Sequence, residues 1–145
     1  MAKIAFTKLG LSKNQEIKNV EWNGQNIEVK QYLSINDRLE LISKVIMAAA
    51  DDNNFMNPVK LKVFLTLEMM YYYTNISFTD KQKEDPTKLY DLLEGSGLAE
   101  AIRNAIGGID YSLLMHDINV CAEAIYSYRN SVYGILDTIT ADYSN

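Results

Sequence analysis

Leu114-Met115-His116-Asp117-Ile118-Asn119-Val120-Cys121-Ala122-Glu123-Ala124-Ile125 is the stretch whose reading decides the fold. Its apolar members Leu114, Ile118, Cys121 and Ile125 continue through Tyr128, Val132, Ile135 and Ile139, while Asp117, Asn119, Glu123, Asn130 and Asp137 fall off the stripe. Spacings that alternate between four and three specify one long amphipathic helix with an apolar seam. Asp110 is placed to cap it, so the helix is expected over about 110–142, roughly 45–50 Å at 1.5 Å per residue. A seam of that length needs a covering surface, from the domain's own helices or from another chain. No charge pattern at its flanks selects between the two.

Upstream, helix signals recur. Ser34 with Asp37 in the first turn starts a helix through Ile35, Leu39, Ile42 and Ile46, which ends at Asp51-Asp52-Asn53-Asn54. Asn57-Pro58 and Asp85-Pro86 each pair a capping side chain with a proline suited to the first helical position. The segment after Pro58, with Val63, Phe64, Leu65, Leu67, Met69, Met70, Tyr71, Tyr72 and Tyr73, is apolar nearly all round and is expected at the centre of the fold, its phenol hydroxyls reaching the surface. Thr79 to Gln82 has capping-box spacing. Two short helices follow, around Leu89–Leu93 and over Leu98–Ile106, closed by Gly95-Ser96-Gly97 and Gly107-Gly108.

Residues 16–33 read instead as a β-hairpin. Ile17, Val20 and Trp22 lead into Asn23-Gly24, a pair that tolerates positive φ at both central turn positions, and Ile27, Val29 and Tyr32 follow. Two strands alone are marginal in water, and residues 3–9 are the candidate third strand, because Ile4 and Phe6, then Leu9 and Leu11, recur two apart. The same 1–13 segment, bearing Lys3, Lys8 and Lys13, is alternatively an arm that adds to a neighbouring chain. The fold class expected is thus α+β and predominantly α: one domain over 1–145, with a hairpin packed on about five helices.

Composition narrows the function classes. Apolar content of 48% with 23% charged residues argues for a folded domain, and no run approaches the ~20 apolar residues of a membrane span. Met1–Gly10 has no continuous apolar block that would read as a secretory signal, so an intracellular location is expected. The net charge of −5 is uneven, since residues 91–145 hold only Arg103 and Arg129 against eight acids. No basic cluster suited to displacing counterions from nucleic acid is visible.

Reactive centres are missing from the pattern. His116 and Cys121 are the sole residues of their kinds, and five helical positions set them roughly 140° apart around the axis. Cys121 lies on the apolar stripe and His116 on the polar side, which predicts a packed thiol and a solvated imidazole. The chain has no phosphate-loop, dinucleotide or H-E-x-x-H pattern and no cysteine-rich zinc pattern. Counted from Asp51, the acidic tetrad puts Met56 and Lys62 where a calcium loop needs glycine and glutamate, so a solvated loop is expected there. Asp91, Glu94 and Glu100 remain the acids that folding would have to gather for acid–base chemistry. No catalytic, metal or cofactor residues are assigned, and the expectation is a non-enzymatic protein with no cofactor.

One resemblance goes further. The lysine-bearing head, the hairpin ending Ile27-Glu28-Val29-Lys30-Gln31-Tyr32-Leu33, the helical remainder, and the stretches Asn53-Asn54-Phe55, Tyr73-Thr74-Asn75-Ile76 and Lys81-Gln82-Lys83-Glu84-Asp85-Pro86 resemble small tail-assembly chaperones and related virion-assembly proteins of bacteriophages of low-GC Gram-positive hosts. The resemblance implies protein–protein contact during virion assembly, in the host cytoplasm or within the particle, with a phage structural protein or a second copy as partner. Candidate contact residues are Ile4, Phe6, Leu9 and Leu11 in the head and Tyr126, Tyr133 and Tyr143 on the shoulder of the long helix. Two other expectations stand beside it: a ring-forming or decorating virion component, and an inhibitor whose acids Asp110, Asp117, Glu123 and Asp137 mimic nucleic acid.

Overall fold

Asn23 and Gly24 adopt φ values of 50° and 78°, so the chain reverses in a two-residue turn whose twist matches the strands on either side. Strands β1 (Ile17–Trp22) and β2 (Gln25–Lys30) pair antiparallel, with Trp22 opposite Gln25 and Ile17 opposite Lys30. The computed structural model describes residues 1–50 and 55–129, together with 136, 139 and 140. Within them the molecule is α+β and mostly helical, with an N-terminal hairpin and six helices, of which α5 (Leu98–Ala105) packs on β1.

Residues 3–9 do not supply a third strand. Phe6–Leu9 forms a 3-10 turn, with Lys8 N–H donating to Ala5 O and Gly10 in the left-handed region ending it. The edge of β2 is already taken: Thr74 bridges Val29, Asn75 N–H donates to Glu28 O, and Glu28 N–H donates to Asn75 Oδ1. Two residues that follow a helix therefore do the work expected of a strand.

The helix starts fall where the caps place them. Ser34 Oγ accepts from Asp37 N–H ahead of α1 (Ile35–Ala49), and Asn57 Oδ1 accepts from Val59 and Lys60 N–H ahead of α2 (Pro58–Tyr73). Thr79 and Gln82 close a reciprocal capping box on α3 (Asp80–Lys83), and Asp85 caps α4 (Pro86–Gly95). Gly97, at φ 84°, turns the chain into α5 (Leu98–Ala105), and α6 runs over Gly108–Arg129. Residues 130–142 of the expected long helix, apart from 136, 139 and 140, lie outside the described residues, as does the acidic tetrad 51–54.

Helix α2 is the hub of the core, packing on α1, α4 and α5 and burying Leu65, Leu67, Met69, Met70 and Tyr73. On α1 the buried face is Leu41, Ile42, Val45 and Ala49, in line with Arg38, whereas Ile35 and Leu39 face outward. Leu39 lies off the line of that face, whereas Ile35, seven residues before Ile42, lies on it but in the exposed first turn. On α6 the seam is buried at Leu114 and Ile118 and half-buried at Cys121 and Ile125, while Ile139, beyond α6, is exposed.

Candidate functional site

A buried polar cluster ties the hairpin to the helices. Asp110, 4% exposed, sits in the first turn of α6 without capping it, because Tyr111 N–H donates to Gly107 O and so the helix begins earlier than the acid. Its carboxylate turns inward instead. Oδ1 accepts from Arg38 Nη2 at 2.5 Å, and Oδ2 accepts from the Tyr73 hydroxyl at 2.6 Å and from Leu33 N–H at 3.1 Å. One acid thereby joins the end of the hairpin, α1, α2 and α6. Arg38 Nε is left without a hydrogen-bond partner, and the guanidinium lies 5.9 Å from the Tyr32 ring centroid. Burial, then the bond to Asp110, pushes the Tyr73 phenol far above its ordinary value. Its hydroxyl does not reach the surface as the sequence suggested; it is consumed inside. Asp110 is likewise removed from any acidic surface.

A second, shallower pair lies at the other end. Glu94 accepts from both Arg103 terminal nitrogens, at 2.6 and 2.8 Å, and from Thr66 Oγ1 at 3.2 Å. The Arg103 guanidinium holds the Glu94 carboxyl below the usual carboxylate range. Glu68 has the opposite fate: Oε2 is buried without a hydrogen-bond partner, and desolvation pushes its carboxyl up, although Lys44 and Lys83 pull it down. Glu94 is not gathered with Asp91 and Glu100 into an acid–base site, being engaged with Arg103. Among the described residues no group of three or more His, Cys, Asp and Glu has the arrangement of a metal site. His116 is exposed, Cys121 is half-buried, and both lie on the same uninterrupted helix, too far around its axis for a dyad.

The surface around the hairpin differs in kind. Ile4, Phe6, Leu9 and Leu11 are all exposed, Phe6 at 73% and Ile4 at 72%. Two clefts meet at Glu16 and Tyr32. One, of about 620 Å³, is lined by Ile17, Tyr32, Ile35 and Asp37; the other, of about 290 Å³, opens between Gln31 and the start of α6 at Ile109 and Leu113. Ile17, Tyr32, Ile35, Ile109 and Leu113 are exposed large side chains, so they extend the apolar surface from the root of the head to α6.

One edge of the hairpin is open. The pair flanking a two-residue turn is hydrogen-bonded, so Trp22, Val20 and Lys18 point their backbone groups at β2, and Ile17, Asn19 and Glu21 point theirs outward. Among the described residues, nothing pairs with that outward row. Four head residues foreseen as contacts are thus exposed, whereas Tyr126 is placed only as a member of α6, and Tyr133 and Tyr143 lie outside the described residues. The cleft residues were missed because they come from three separate stretches of the chain, 12–17, 30–37 and 107–113. Arg38 carried a legible signal: it falls on the helical line of Leu41, Ile42, Val45 and Ala49, where a charge requires a buried partner.

The chain matches no protein-family model, no curated protein and no solved structure. No helix among the described residues is long and apolar enough to cross a membrane.

Proposed function

We propose that this protein works by protein–protein contact without catalysis, as a chaperone-like factor in phage virion assembly whose residues 1–13 engage an apolar surface of a structural protein. The observation that carries the reading is the head itself: four large apolar side chains, Ile4, Phe6, Leu9 and Leu11, presented to solvent on a segment with three lysines and no acid before Glu16. Holding four such side chains in water costs about 1.5–3 kcal/mol each relative to burial, and a partner that covers them recovers that difference. The engagement of the buried Asp110 and the half-buried Glu94 with arginines supports a non-catalytic reading, since each is held in an ion pair within the domain.

A photo-crosslinking residue at Phe6, in host cells producing virions, is expected to give a discrete adduct with a particle protein. The same probe at Asn26, on the outer face of the hairpin, gives none. Equal labelling at both positions would reject the head as the contact element.

A further inference from the structure

The hairpin has one sealed edge and one open edge, and the same chain carries a segment suited to the open one. Thr74 and Asn75 close the β2 side, whereas the N–H and C=O groups of Ile17, Asn19 and Glu21 are unpaired over a strand without proline. Unpaired edges of this kind are templates for an incoming strand. We infer that residues 2–7 of a second copy add as a strand to the open edge of β1, so that two molecules exchange heads. The inference rests on reading the head as the contact element and names the partner it takes in the isolated protein.

Side-chain faces and charge both select this occupant. The core face of β1 carries Val20 and Trp22, which are only half-buried against the helices, and the outer face carries Ile17, Asn19 and Glu21. The exchange opens the 3-10 turn at Phe6–Leu9, and once the segment is extended Ala2, Ile4 and Phe6 share one face while Lys3, Ala5 and Thr7 share the other. Setting Ile4 and Phe6 beside Val20 and Trp22 extends the apolar layer and places Lys3 on the face of Glu21. The receiving strand and its root hold Glu16 and Glu21 against Lys18, and the head to Leu11 holds Lys3 and Lys8 with no acid. Opposite charges across paired strands favour the pairing. A third strand also relieves the marginal stability of a two-stranded sheet. The nine residues from Lys8 to Glu16 reach at most about 30 Å when extended, which leaves length for a reciprocal exchange.

Complementation tests this. Light scattering of the full chain over a hundredfold concentration range should rise to the mass of two copies or more. A chain lacking residues 1–11, and separately Asn19→Pro, should each keep the mass of one copy. Proline at position 19 removes an outward N–H and no backbone hydrogen bond of the hairpin, losing only the exposed side-chain bond that Asn26 Nδ2 donates to Asn19 Oδ1; if that variant does not fold, Ile17→Pro at the strand's start serves the same purpose. Mixing the headless chain, whose edge is intact, with the edge-blocked chain, whose head is intact, should restore a one-to-one complex. A full chain that stays a single copy throughout, a mixture that does not associate, or a headless chain that still associates would each overturn the exchange. A single-copy full chain that still gives the Phe6 adduct with a particle protein overturns the exchange alone. Loss of that adduct overturns the contact reading whatever the mass.

Discussion

The two edges of the hairpin behave as opposites. On the β2 side, Asn75 pairs with Glu28, and Gln31 Nε2 donates to Ala105 O at 2.6 Å. Beyond the strand, Asp110 gathers Leu33, Arg38 and Tyr73. On the β1 side the outward backbone row is unpaired, and in the chain the strand follows an exposed apolar head. Polar groups that are buried must be partnered within the fold, and polar groups that are solvated can be left open. The difference teaches where this molecule spends stability and where it keeps surface in reserve.

The sharpest way to break the comparison is to strip the sealed side of its acid. Asp110→Ala leaves Arg38 charged, buried and unpaired, and should lower unfolding stability by about 3–5 kcal/mol in urea denaturation. A loss under 1 kcal/mol would mean that the cluster is peripheral. Gly107→Ala should come next, because the added Cβ would stand 2.9 Å from Gln31 O, a backbone atom with no freedom to swing away. Overpacking of this kind costs about 1–3 kcal/mol.

A smaller and pH-dependent effect belongs to Glu94 and Arg103. The Glu94 carboxyl has a lower pKa folded than unfolded, so the pair's stabilisation is fully present above the ordinary carboxylate range and is lost as pH falls through the depressed folded value. Arg103→Gln should therefore cost about 1 kcal/mol at pH 7 and progressively less toward pH 3, measured by denaturant unfolding at each pH. Phe6→Ser marks the other extreme. It should leave stability unchanged within about 0.5 kcal/mol while abolishing association or the Phe6-site contact, since an exposed side chain adds nothing to the domain that carries it.

Much of the fold was legible because its signals are local. Caps at Ser34, Asn57, Thr79 and Asp85 and the Asn23-Gly24 turn act within a few residues of themselves, and each appears where the sequence placed it. Long-range pairings were not. Alternation in the head suggested a strand, yet Thr74-Asn75, with no strand pattern of its own, reached the β2 edge first. Asp110 looked like a cap because acids favour helix starts, and only the approach of Arg38 and Tyr73 from other helices turns it into a buried anchor. Of the proposed contact surface, the head residues were visible as apolar residues on a lysine-bearing segment, but the open β1 edge follows from which side of the hairpin the chain later covers.

Amide hydrogen exchange in dilute solution, read residue by residue along the hairpin, tests the contrast between the two edges most directly. Val20, Trp22, Glu28 and Leu33 should be protected while Ile17, Asn19 and Glu21 exchange at nearly the free-peptide rate. Uniform protection of all seven at a concentration where the mass is that of one copy would contradict the account, because something within the domain would then seal the edge described here as open.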